Sequence, residues 1–191
     1  MANSKLIIVE GPQGAGKTTV TDFIRFSLPY TNLYRLGGTS DKTLSGREKS
    51  EKMYYALLDY MKSLENASIN LLFDRTFFTD EIYCRLGYKE YHFTDIYNTL
   101  LDKVNSLDFE IYYITLYLED ENEFEKRLSR DKKADIKYAK FNKQNSIDQQ
   151  NAYLKMADEI SEKYPNIHVV KFNNLIPQEE MKEKIKNILN Y

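Results

Sequence analysis

Val9-Glu10-Gly11-Pro12-Gln13-Gly14-Ala15-Gly16-Lys17-Thr18-Thr19 is the stretch whose reading decides the fold of this chain. Residues 11–18 satisfy G-x-x-x-x-G-K-[ST] at every required position. An apolar run, Leu6-Ile7-Ile8-Val9, precedes it. Behind it Val20, Phe23, Ile24 and Ser27 recur at helical spacing until Pro29 stops them. Strand, glycine-rich turn and helix in that register form a phosphate cradle. Glycine lets the backbone turn with no Cβ in the way, so successive N–H groups point inward at phosphate oxygens. The helix N-terminus adds the positive end of its dipole. Three of the chain's 7 glycines fall inside this window, which argues against a chance match. The expected ligand is ATP with Mg2+. Gly11, Pro12, Gln13, Gly14, Ala15, Gly16, Lys17, Thr18 and Thr19 would surround the phosphates, with Lys17 on the β- and γ-phosphates and the Thr18 hydroxyl on the metal.

Outward from the cradle, short apolar runs alternate with longer amphipathic segments. Strands are expected at Leu33 to Leu36, Ile69 to Phe73, Phe109 to Leu118 and Ile167 to Phe172, besides the first. Helices are expected over 47–65, 78–86, 94–106, 120–130, 145–163 and 178–189. The 47–65 helix would bury Met53, Leu57, Tyr60, Met61 and Leu64. This pattern predicts an α/β fold: a doubly wound, five-stranded parallel sheet with helices on both faces and a ligand site at the strands' carboxyl ends. The 191 residues suit one domain, 1–191.

Leu71-Leu72-Phe73-Asp74 is an apolar strand ending in an acid, where a carboxylate can hold a magnesium-bound water; an acid there can equally cap the next helix. Arg75 follows directly, and its planar fork suits an acceptor phosphate. Glu10, the other acid near the cradle, reads as support for the strand end or for a metal-bound water. Lys126, Arg127, Arg130, Lys132 and Lys133 crowd the next basic stretch, and residues 131–143 are poor in large apolar groups. Arg127 and Arg130 share a helix face, either as a solvated helix end or as cations carried on a lid over about 127–143.

A formal net charge of −2 gives no basic excess, so nucleic acid is not an expected partner. No apolar run reaches a membrane span and no signal peptide is visible, so no membrane partner is expected. The single cysteine, Cys84, fits a reducing compartment and a packed thiol, and the expected location is cytoplasmic. His92 and His168 have no acid or cysteine at ligand spacing.

Together these motifs resemble the thymidylate kinase family, within the wider group of nucleoside and nucleoside-monophosphate kinases. Residues 9–19 are similar to its E-G-x-[DE]-G-A-G-K-T-T, and Leu36-Gly37-Gly38-Thr39 to the end of its R-E-P-G-G-T. Asp74-Arg75-Thr76, continuing through Thr79-Asp80-Glu81-Ile82-Tyr83, resembles its D-R-[YH] and the Ser-Ser-x-Ala-Tyr that follows. Tyr153-Leu154-Lys155-Met156-Ala157 resembles its Y-L-x-L-A, and Phe172-Asn173-Asn174 the loop beside the donor adenine. The resemblance implies that Arg75 holds the acceptor phosphate, Asp74 organises magnesium, and Lys17 with Arg127 or Arg130 stabilises the group in transfer. It places Thr79 and Tyr83 beside the acceptor, puts Asn173 at the adenine and implies a homodimer.

The chain departs from the family pattern on the acceptor side. Gln13 replaces the cradle's acid, leaving a neutral group for a sugar hydroxyl, and Tyr34-Arg35-Leu36 replaces R-E-P, leaving Arg35 as a second phosphate clamp. The 47–65 helix lacks the aromatic followed four residues later by arginine that grips thymine; Tyr54, Tyr55 and Asp59 stand there. The expected activity is transfer from ATP to a nucleoside monophosphate, of the deoxypyrimidine kind, a small-molecule partner whose anionic oxygen needs no strong base. The alternatives are a kinase of deoxynucleosides or other small hydroxyl compounds, and a nucleotide-driven switch.

Overall fold

The computed structural model describes residues 4–130 and 141–191. The central part of the expected lid, with Lys132 and Lys133, lies outside the described residues. The chain runs β1 (Lys5–Glu10), α1 (Lys17–Ser27), β2 (Thr31–Arg35), α2 (Leu44–Ser63), β3 (Asn70–Asp74), α3 (Phe77–Arg85) and α4 (Thr94–Asn105). It continues with β4 (Glu110–Tyr117), α5 (Glu123–Arg130), α6 (Lys143–Lys163), β5 (His168–Asn173) and α7 (Gln178–Leu189). The strands form one parallel sheet in the order β2-β3-β1-β4-β5, the doubly wound architecture read from the sequence. After β1 the chain first builds β2 and β3 on one side, then β4 and β5 on the other. The crevice therefore opens at the carboxyl end of β1, between β3 and β4.

Alternation along the strands sorts the core into two layers. Leu6, Ile8, Leu71, Phe73, Ile111 and Tyr113 face α2, α3, α4 and α6, while Ile7, Val9, Leu72, Ile114 and Leu116 face α1 and α7. Both faces of β1 are buried, which is why it reads as a continuous apolar run rather than an alternating one.

Several expectations shift: α2 starts at Leu44 instead of 47, and α5 at Glu123 instead of 120. Strand β2 starts at Thr31, earlier than Leu33, because Thr31 pairs with Asn70 at the foot of β3. Helix α6 starts at Lys143, where the Asn142 side chain caps it by accepting from the Asn145 N–H at 2.8 Å. Helix α2 buries a face rotated from the expected one: Met61 is buried and Leu57 and Leu64 pack against the core as expected, but Ser50, Tyr54 and Leu58 also point inward, and Met53 and Tyr60 are exposed. The apolar stripe of α2 is ambiguous by periodicity, and the position of Tyr54 against α3 decides it. Cys84 is half-buried, and burial pushes its thiol up to about 12, the unreactive state expected of a packed cysteine.

Candidate active site

The cradle begins where β1 ends. Gly16 sits at φ 90, a left-handed conformation, and a Cβ there would meet the Asn174 side-chain nitrogen at 2.4 Å. That nitrogen donates to the Ala15 carbonyl at 2.8 Å and ties the loop to the end of β5. Lys17 reaches across the loop and donates from Nζ to the Gly11 and Pro12 carbonyls, both at 2.8 Å. Helix α1 carries no side-chain cap bond and no acid in its first turn, so its N-terminal dipole faces the cleft unopposed. The far rim of the loop is held by α6: Ser146 donates to the Gln13 carbonyl at 2.8 Å, and the Gln149 side-chain Oε1 accepts from the Gln13 N–H at 3.3 Å.

A cleft of about 680 Å³ opens above the cradle. Gln13, Gly14, Gly16, Lys17, Thr18 and Thr19 line its floor, Asp74 and Arg75 one wall, Arg127 and Arg130 another. Asn174, Ile176, Gln178 and Met181 close the remaining side. The topology thus brings Lys17, Thr18, Asp74, Arg75, Arg127 and Arg130, chosen from distant parts of the sequence, onto a single cleft. Arg127 donates to the Gly14 carbonyl at 3.3 Å and to the Asn174 carbonyl at 3.1 Å, so α5 docks directly on the cradle rather than ending in solvent.

Asp74 is buried and caps no helix; α3 starts after Thr76 without a side-chain cap bond. Its carboxylate lies 3.6 Å from Arg35 Nε. Arg35 also bonds Asp22, so this second arginine stands beside the cleft wall between two carboxylates. Arg75 occupies φ 72, a conformation that strains a non-glycine residue by roughly 1–3 kcal/mol. Its guanidinium is half-buried and bonds the Tyr83 hydroxyl at 3.4 Å, so two of the residues expected on the acceptor side do meet. Among the described residues no carboxylate lies within ion-pair distance of Arg75. Burial works against its charge, but Tyr83, Tyr153, Glu10 and Asp74 around it more than offset this and hold it protonated.

Two expected ligands point elsewhere. The Thr79 hydroxyl is buried between the Glu10 carboxylate at 2.7 Å and the Tyr153 hydroxyl at 2.8 Å, so it supports the wall instead of facing the cleft. The Asn173 side chain accepts from the Leu175 and Glu119 N–H groups, at 3.1 and 3.3 Å, and its neighbour Asn174 lines the cleft in its place. An asparagine bonding the N–H two residues on forms an Asx turn, a local signal that could have told the two apart.

The sequence reading assigned no role to Asp80 or Lys89, and named Tyr54 only as one of the residues standing where a thymine-gripping aromatic would be. Asp80 is buried, accepts from the Tyr54 hydroxyl and lies 3.8 Å from Lys89 Nζ. Burial pushes its carboxyl up, against the opposing pull of Tyr54 and Lys89. Lys89 also donates to the Thr39 carbonyl at 2.6 Å, and a Cβ on Gly38 would come within 2.6 Å of the Asp80 oxygens. This cluster therefore holds the Gly37-Gly38-Thr39 corner against α3. Tyr54→Phe should lower the unfolding free energy by about 1–3 kcal/mol, since it leaves a buried carboxylate short of a donor without opening a cavity. Urea denaturation checks this; an unchanged midpoint would show that Tyr54 contributes nothing to the corner.

Strand order, cradle and flanking helices define the P-loop nucleotide kinase fold. Solved structures place the chain within it more closely. A thymidylate kinase from Candida albicans superposes with a TM-score of 0.67 at 15% identity, over 100% of this chain and 92% of that one. A deoxyadenosine kinase from M. mycoides, with products dCMP and a flexible dCDP bound, matches at a TM-score of 0.59 and 20% identity, over 97% and 98%. The same enzyme with bound dATP matches at 0.59 and 16% identity, over 97% and 99%. Sequence comparison matches the chain to no protein-family model and to no curated protein. The likeness to thymidylate kinases read from the motifs is thus one of fold, carried by a divergent sequence. Among the described residues, no helix is long and apolar enough to cross a membrane.

Proposed function

We propose that this protein transfers the γ-phosphoryl group of ATP to the phosphate of a nucleoside monophosphate, with deoxypyrimidine monophosphates as its acceptor class. The observation that carries this reading is Arg75. A half-buried guanidinium that opens onto a nucleotide cleft, with no carboxylate in ion-pair distance among the described residues, is built to receive an anion. Asp74 is the one carboxylate among the described residues lining the cleft, and it stands against Arg35. A nucleoside hydroxyl would want a carboxylate base, whereas a monophosphate oxygen attacks without one.

In this reading the cradle N–H groups and Lys17 hold the donor phosphates. Arg75 forks two hydrogen bonds to the acceptor phosphate and sets it in line with the γ-phosphorus. Arg127 and Arg130 on α5 add positive charge where the equatorial oxygens gather it in transfer. The donor set fits magnesium: a hydroxyl from Thr18 and a carboxylate from Asp74 share the cleft, leaving the other positions to phosphate oxygens and water. Mg2+ held there would supply positive charge to offset that of the donor phosphates. Ile176 and Met181 offer the apolar side of the cleft to the adenine, with Asn174 at its edge. We read the working form as a cytoplasmic homodimer of single-domain protomers, as the resemblance implies.

The structural neighbours pull in two directions, one a thymidylate kinase and the other a deoxyadenosine kinase, so a hydroxyl acceptor is the second reading. A coupled ADP-release assay across deoxynucleosides and their monophosphates separates them. Deoxypyrimidine monophosphates should give the highest kcat/KM. Preference for unphosphorylated nucleosides would overturn the proposal, and ADP formation indifferent to every acceptor would favour a nucleotide-driven switch.

A further inference from the structure

We infer that Glu10 is a positioning residue for Arg75: its carboxylate, at the end of β1, holds the strained turn that aims the guanidinium into the cleft. The inference rests on the reading of Arg75 as the acceptor-phosphate clamp. Glu10 is fully buried and lines no part of the cleft, yet both of its oxygens are engaged. Oε1 accepts from the Thr76 N–H at 2.7 Å and Oε2 from the Thr79 hydroxyl at 2.7 Å. Arg75, between β3 and Thr76, is the residue at φ 72, and its own N–H donates to the Val9 carbonyl at 3.1 Å. Two consecutive residues of β1 therefore hold two consecutive N–H groups of the turn, one through backbone and one through a side chain.

The logic is one of over-determination. A left-handed arginine persists only where its surroundings leave it no relaxed alternative. Without the Glu10 carboxylate, the Thr76 N–H would be buried with no acceptor, and the turn would rotate to find one. That rotation would carry the Arg75 side chain away from the cradle. The Thr79 hydroxyl extends the brace to the Tyr153 hydroxyl on α6, the same helix that holds Gln13 through Ser146. Donor loop and acceptor arginine are thus referenced to one helix, which explains why Thr79 is occupied with the wall and not with a ligand.

A double-mutant cycle on the purified full chain tests this, with kcat/KM for its best acceptor and the Kd of a fluorescent ATP analogue as readouts. Glu10→Ala is expected to lower acceptor kcat/KM about 100-fold, the scale of a misaimed positioning group, and to leave ATP-analogue binding unchanged. Glu10→Gln should retain most of the activity, because its amide oxygen still accepts from Thr76 and its nitrogen can donate to Thr79. In the Arg75→Ala background, Glu10→Ala should add little or nothing, since the group it positions is gone. Should Glu10→Ala fail to fold, Thr79→Val takes its place and should show a smaller acceptor-specific loss that also vanishes in that background. Equal damage to ATP binding and acceptor use, or losses that multiply in the double variant, would mark Glu10 as a general structural residue and overturn the inference while leaving the role of Arg75 intact. Normal turnover by Arg75→Ala alone would overturn both.

Discussion

Arg75→Ala is expected to lower kcat/KM for the preferred monophosphate by about 1,000-fold while ATP binding stays near wild type. Removing one donor aimed at developing charge in a closed site costs about 100- to 1,000-fold, and a bidentate guanidinium supplies two. The loss should fall mainly on the acceptor, because Arg75 projects from the end of β3 while the proposed donor-phosphate site is the loop after β1. Arg75→Lys should recover little. An ammonium keeps the charge but cannot fork two parallel hydrogen bonds to the phosphate. Steady-state kinetics with the acceptor varied at saturating ATP measure the effect. Activity within tenfold of wild type would remove Arg75 from the acceptor site.

Lys17→Ala should cost at least as much in turnover, about 1,000-fold, and in this case donor binding should weaken as well. The ammonium lies in the mouth of the loop on the Gly11 and Pro12 carbonyls, poised to exchange those contacts for the β- and γ-phosphates. Alanine removes that charge and leaves two carbonyls of the tight loop without their donor. The pair of variants forms a contrast. Arg75→Ala separates acceptor from donor, whereas Lys17→Ala damages both, as titration of a fluorescent ATP analogue alongside the coupled assay will read out. Wild-type ATP affinity together with wild-type turnover in Lys17→Ala would refute the cradle assignment.

How far the site was legible depends on the range of the interaction that makes it. Residues 11–18 announce their geometry because a Cβ-free turn between strand and helix is a local requirement. Asp74 and Arg75 were legible because a strand's end points at the crevice of a doubly wound sheet. Glu10 was legible only as general support for the strand end or a metal-bound water; its partners Thr76 and Thr79 lie 66 and 69 residues away and the strand supplies no hint of them. Thr79 carried the motif of a ligand residue, but the Tyr153 hydroxyl, 74 residues on, closes the other side of its hydroxyl. The same holds for Asp80, whose partners Tyr54 and Lys89 come from α2 and from the loop after α3.

What the sequence determined alone was the class of fold and the glycine-rich loop that floors the cleft. Apolar runs, helical periodicity and the glycine spacing are short-range quantities, set by backbone sterics and by which side of an element must be dry. The tertiary structure decided the walls of the cleft. It chose which face of α2 turns inward, set Asn174 in the cleft and Asn173 on its own turn, and strained Arg75 against the end of β1. Those outcomes depend on hydrogen bonds between elements far apart in the chain, where a buried donor must find an acceptor and only the assembled sheet says which one is within reach.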